Sequence, residues 1–160
     1  ILFFMINDLV DILNNENIYL MVNFGVLPFW LLLLILPNHG LTNFLLQSII
    51  VPLILGFAYV YVAYNIFING NIFDSFELYR GLDGLYSVFS NEAFLLVFWI
   101  HFLAISLFLG TWITRDSRKY MIPKFFTVIS LILTYFTGPL GLVIYWFIRI
   151  FFAKKISFND

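Results

Sequence analysis

The run from Ala93 to Ile113 constrains this chain more than any other stretch. It is apolar almost throughout, carries one ionisable side chain, His101, near its middle, and leads into the cluster Arg115, Asp116, Arg118 and Lys119. At 1.5 Å per residue it reaches about 31 Å, the depth of a bilayer's hydrocarbon core, and so predicts a membrane-spanning helix. Similar runs recur along the chain with short polar punctuation between them, and nothing alternates as barrel strands do. With 62% hydrophobic and 11% charged residues, the composition lies outside the range of soluble globular domains. The expected class is an all-α integral membrane protein, a bundle of four transmembrane helices.

Four spans divide the chain as follows. Residues 1–18 form an N-terminal interfacial segment, in which Ile6, Leu9, Val10 and Leu13 repeat at helical spacing opposite Asn7, Asp8 and Asp11. Residues 19–152 form a single four-helix membrane domain, and residues 153–160 a C-terminal tail. The first span runs from Tyr19 to Leu36, kinked by Pro28 and ended by Pro37, and the second from Phe44 to Ile68. Between the second and third lies an amphipathic surface helix marked by Leu82, Leu85, Tyr86 and Phe89. The last span, Phe125 to Phe152, is long enough at about 42 Å to need a bend, which GPLG at Gly138–Gly141 supplies. An even span count puts both termini on one side. The basic loop before Pro123 is expected on the cytoplasmic side by the positive-inside rule.

Several function classes drop out. There is no cysteine, hence no disulfide, thiolate metal site or cysteine nucleophile. The net charge of -1, with basic residues beside spans rather than in a stripe, argues against nucleic acid as a partner. No acid or histidine cluster has metal-ligand spacing, His39 reads as a turn residue, and neither metal nor cofactor is expected. No Lys or Arg precedes Arg80, so a secretory signal is not expected.

The candidate site centres on His101. An ionisable group at mid-span is costly in lipid, so it is expected to face the bundle interior and to be functional. Asn23, close to the carbonyl that Pro28 frees, and Trp99, Ser106, Trp112, Arg115 and Asp116 around and below the histidine are the expected binding residues. Ser106 and Gly110 make a small-xxx-small face, matched on the last helix by Thr134, Gly138, Gly141 and Tyr145. Those two helices are expected to pack, with Gly110 and Gly138 at the contact.

The run HFLAISLFLGTWITRD from His101 to Asp116, GPLG at Gly138 and NFGVLPFWLLLLILP from Asn23 to Pro37 resemble the abscisic-acid-deficient-four-like family of small polytopic membrane proteins. Its plant members are plastid proteins required to make neoxanthin from violaxanthin. Ser106 stands where the family pattern H-x-L-A-x-D-L-F commonly has aspartate. The resemblance implies an enzyme, or part of one, acting on a carotenoid or related isoprenoid, with His101 as acid and base in opening an epoxide. The alternative is a lipid- or pigment-binding or assembly protein without catalysis. Expected partners are membrane lipid or isoprenoid, a second copy of the chain, or a membrane enzyme. The expected location is a bacterial inner membrane.

Overall fold

The computed structural model describes residues 13–46, 50–70 and 72–154, and among them every regular element is helical. In chain order these are α1 (Asn15–Gly25), α2 (Leu27–Ile35), α3 (Gly40–Leu46), α4 (Ile50–Asn69), a 3-10 helix (Ile72–Tyr79), α5 (Leu82–Phe89), α6 (Glu92–Lys119), α7 (Lys124–Thr137) and α8 (Pro139–Ala153). Three helical stretches are long and apolar enough to cross a membrane: Asn15–Ile35, Gly40–Ile68 and Glu92–Lys119. They coincide with the first three expected spans.

The helix ends follow from local chemistry. Asn14 Oδ1 accepts from the Asn17 amide at 2.8 Å, and Asn91 Oδ1 accepts from the Ala93 amide at 3.0 Å, so an asparagine satisfies orphan donors at the start of α1 and of α6. Pro28 sits in the first turn of α2, and Val26 separates that helix from α1. The expected kink is therefore a break at Val26, two residues before the proline and just after Phe24, whose carbonyl the proline leaves without a donor. His39 lies in the turn between α2 and α3, its Nδ1 accepting from the Leu41 amide. The interfacial helix expected in residues 1–18 falls largely on residues 1–12, outside the described residues, and Asn15 to Ile18 already belong to α1. Of the expected tail, residues 155–160 also lie outside them.

The chain groups into two compact units, one of residues up to Gly25 with Leu53–His101, the other Val26–Pro52 with Phe102 onward. In the first, α6 meets its neighbours through aromatic pairs, Tyr19 with Trp99 and Tyr59 with His101, each at 6.4 Å between ring centroids. The expected amphipathic helix is α5. It buries Val88 and leaves Leu82 and Tyr86 exposed, the arrangement of a helix lying on an apolar boundary.

In the second unit the expected fourth span needs correcting. It is two helices of 14 and 15 residues, each about 21–22 Å long and short of the ~30 Å a crossing needs. They lie side by side and antiparallel. Phe126 and Phe152 have ring centroids 5.9 Å apart, whereas one straight helix would separate them by about 39 Å. Gly138 makes the reversal at φ 60° and ψ -92°, a backbone region closed to side-chain-bearing residues without strain. The bend foreseen at GPLG is thus a full turn. It works because Gly141 has no side chain: a Cβ there would fall 2.3 Å from the Thr134 amide nitrogen and 2.6 Å from the Ser130 carbonyl oxygen.

The expected glycine contacts divide. Gly138 does lie against α6, where a Cβ would meet Phe102 and the Ser106 hydroxyl at 3.4 Å. Gly110 instead faces α2, with the Trp30 ring 2.8 Å from a would-be Cβ. The hydroxyls on these faces bond within their own helices, Thr114 to the Gly110 carbonyl and Thr134 to that of Ser130, both at 2.8 Å. That arrangement satisfies a buried hydroxyl in apolar surroundings without a second helix.

Two outcomes are expected. Gly141→Ala should cost the hairpin its packing and most of the folded yield in detergent, because backbone cannot yield to the added methyl. Gly110→Ala should cost about 1–3 kcal/mol through displacement of Trp30, so wild-type melting of both variants would count against this geometry. Neither helix of the hairpin is long enough to cross a membrane alone, so the start of α7 and the end of α8 are expected at one membrane face. The chain is free of cysteine, so single cysteines at Lys124 and Lys154 should react with an impermeant thiol reagent from the same face; labelling from opposite faces would make Phe125 to Phe152 a crossing after all.

Candidate functional site

On α6 Trp112 and Asp116 are four residues apart and share a face, which Tyr120 continues just past the helix end, as do Tyr145 and Arg149 on α8. The reversal at Gly138 brings these two faces together. Asp116 Oδ2 accepts from the Tyr145 hydroxyl at 2.7 Å and from Arg149 Nε at 2.7 Å. Arg149 Nη2 donates to the Tyr120 hydroxyl at 3.2 Å, and the guanidinium carbon lies 4.6 Å from the centre of the Tyr120 ring. Trp112 closes the group edge-on to Tyr145 at 5.7 Å. The Arg149 side chain is 1% exposed and that of Asp116 11%, so both charges sit in a low dielectric and depend on each other.

Arg149 is therefore no free charge at the membrane edge, as its position near the end of the last apolar run suggests. It is one half of a buried ion pair. Neither Tyr145 nor Arg149 is among the expected site residues. The available signal was an arginine within an apolar helix, which requires a partner, four residues after a tyrosine that can share it.

The expected site residues do not converge on His101. Asp116 and Trp112 belong to the buried pair's surroundings, while Arg115, the next residue to Asp116, is exposed. Ser106 is buried beside Gly138. Asn23 is half-buried on α1. Trp99 lines a recess of about 450 Å³ with Tyr19, Glu16 and Glu92. His101 itself is exposed rather than turned inward, with Tyr59 as its aromatic neighbour. It stands nine residues into the 28-residue α6, about 14 Å from the helix start and a third of the way along it. From His101 to Asp116 is about 22 Å along the same helix, too far for one reacting centre.

The model of the ABA DEFICIENT 4-like family matches residues 17–145 of this chain. The chain belongs to that family. The matched stretch includes His101, Ser106, Asp116 and Tyr145 and stops four residues before Arg149. Within the family, Protein ABA DEFICIENT 4, chloroplastic, of Arabidopsis thaliana is 31% identical over 122 residues, covering 74% of this chain and 54% of the plant protein. The chain thus spans about half the length of that ABA DEFICIENT 4 relative. No solved structure matches it.

A buried pair of this kind has a measurable signature. Asp116→Asn takes the carboxylate away from the buried Arg149 and should cost about 3–5 kcal/mol, while Asp116→Asn combined with Arg149→Met should recover part of the loss. Additive losses in detergent melting would show that the two side chains do not interact.

Proposed function

We propose that this family member is an integral membrane protein that acts on a carotenoid or related isoprenoid, alone or as part of an enzyme, with His101 as the acid and base group. The observation that carries the reading is the exposed His101 within the apolar run of α6, beside Tyr59. An ionisable group facing lipid is costly, and that cost is offset where it meets a polar group on a ligand or on a partner. A carotenoid lies in the bilayer and reaches such a face sideways, without entering a bundle. Opening an epoxide to an allenic alcohol adds one proton to the epoxide oxygen and removes one from carbon. A single imidazole near neutrality performs both steps with no net change in protons.

What supports the substrate class is membership of a family named for ABA DEFICIENT 4, together with the neoxanthin link that the resemblance implies. A second copy of the chain or a membrane enzyme is the partner in this reading, and a bacterial inner membrane its location. The competing account is a lipid- or pigment-binding or assembly protein without catalysis. It gains from one observation: Asp116, the only carboxylate in α6 after Glu92, is committed to Arg149 and Tyr145, and Ser106 supplies none.

Pigments and isoprenoid lipids extracted from cells with the gene deleted, restored, or restored as His101→Gln separate these accounts. Glutamine keeps hydrogen bonding and loses proton exchange near pH 7, so turnover should fall by 10²-fold or more, on the order of general acid–base contributions, with folding unchanged. A deletion that leaves the profile untouched removes the isoprenoid reading. Full restoration by His101→Gln removes the histidine from catalysis and favours binding or assembly.

A further inference from the structure

At the ends of α2, α6 and α7 the second unit holds a recess of about 220 Å³ that none of the foregoing uses. Its floor is apolar, made by Leu33, Ile122 and Leu131, and its polar wall carries Ser117, Arg118 and Lys124. The two cations have neutral oxygens as their hydrogen-bond acceptors. Arg118 Nη1 donates to Asn43 Oδ1 at 3.3 Å and Nε to the Thr114 carbonyl at 3.3 Å. Lys124 Nζ donates to the Ile35 carbonyl at 3.1 Å. These contacts hold both side chains at the rim while leaving their charge uncompensated by them.

We infer that this recess binds the phosphate group of a net anionic lipid, with Arg118 and Lys124 on the phosphate oxygens and the apolar floor against the start of the acyl chain. A charged pocket with an apolar floor suits an amphiphile, whereas a free anion gains nothing from Leu33 and Leu131. The depth agrees: the recess lies where α2 and α6 end and α7 begins, the level at which a spanning helix meets headgroups. Basic pockets between helices at that level bind anionic headgroups, and guanidinium and ammonium groups are the donors that suit phosphate. The inference is independent of His101 and of any isoprenoid chemistry.

The test uses the full chain in neutral detergent, titrated with short-chain phosphatidylglycerol, short-chain phosphatidylcholine and inorganic phosphate, and followed by melting temperature and native mass spectrometry. Phosphatidylglycerol should raise the melting temperature and remain bound, phosphatidylcholine should act far more weakly, and Arg118→Gln with Lys124→Gln should weaken binding roughly tenfold. Glutamine keeps a polar donor at each position, and an unchanged melting temperature of the lipid-free variant checks that the fold is kept. Lys119→Gln, which removes an exposed charge outside the recess, should leave lipid binding unchanged, and Arg118→Lys should retain binding. An equal, variant-sensitive response to inorganic phosphate would support the same residues while naming a free anion as the source. Equal binding of both lipids, or binding that survives the double substitution, overturns the proposal.

Discussion

The close backbone approach at Gly141 is the constraint on which the second unit depends. A helix in apolar surroundings satisfies its own amides and carbonyls, so its chain reverses there only where the freed groups are covered at once. Here Gly138 supplies the backbone turn and Gly141 the clearance for α8 to lie against Ser130 and Thr134. Any side chain at Gly141 would occupy space already filled by main-chain atoms. Close backbone contact of this kind replaces the hydrophobic drive that helices lack in lipid.

The reversal has an electrostatic consequence. α7 runs back along α6 from the basic loop, so without the turn Arg149 would lie at the end of a long rod far from Asp116. With it, Arg149 returns to within 2.7 Å of the Asp116 carboxylate. A buried pair of this kind adds little net stability over an apolar core, because desolvation offsets the attraction. It does specify one arrangement. A different register of α8 would strand two charges in a low dielectric, so the pair selects the hairpin rather than driving it.

The same helix, α6, presents two ionisable groups in opposite circumstances. Asp116 is enclosed and fully engaged, whereas His101 is exposed and has an aromatic neighbour. Proton-transfer chemistry needs a group that a reactant can reach, and His101 satisfies that requirement while Asp116 does not. The enclosed cluster is then the scaffold that holds α6 and α8 in place.

Much of this was readable in the residues alone. The helical class, three helices long and apolar enough to span a membrane, the break near Pro28, the amphipathic helix around Leu85 and the turn at GPLG all follow from hydropathy, period and the backbone chemistry of proline and glycine, which act over a few neighbouring positions. Three things were decided only in three dimensions. Whether GPLG tilts a rod or reverses it depends on what Gly141 meets across the turn, and Thr134 lies seven residues away. Whether Arg149 is a surface charge or a buried one depends on Asp116, thirty-three residues earlier, and reaches it only through that reversal. And which way His101 points is a matter of how α6 is rotated against its neighbours, a single angle set by all of their side chains together and written in no one stretch of sequence.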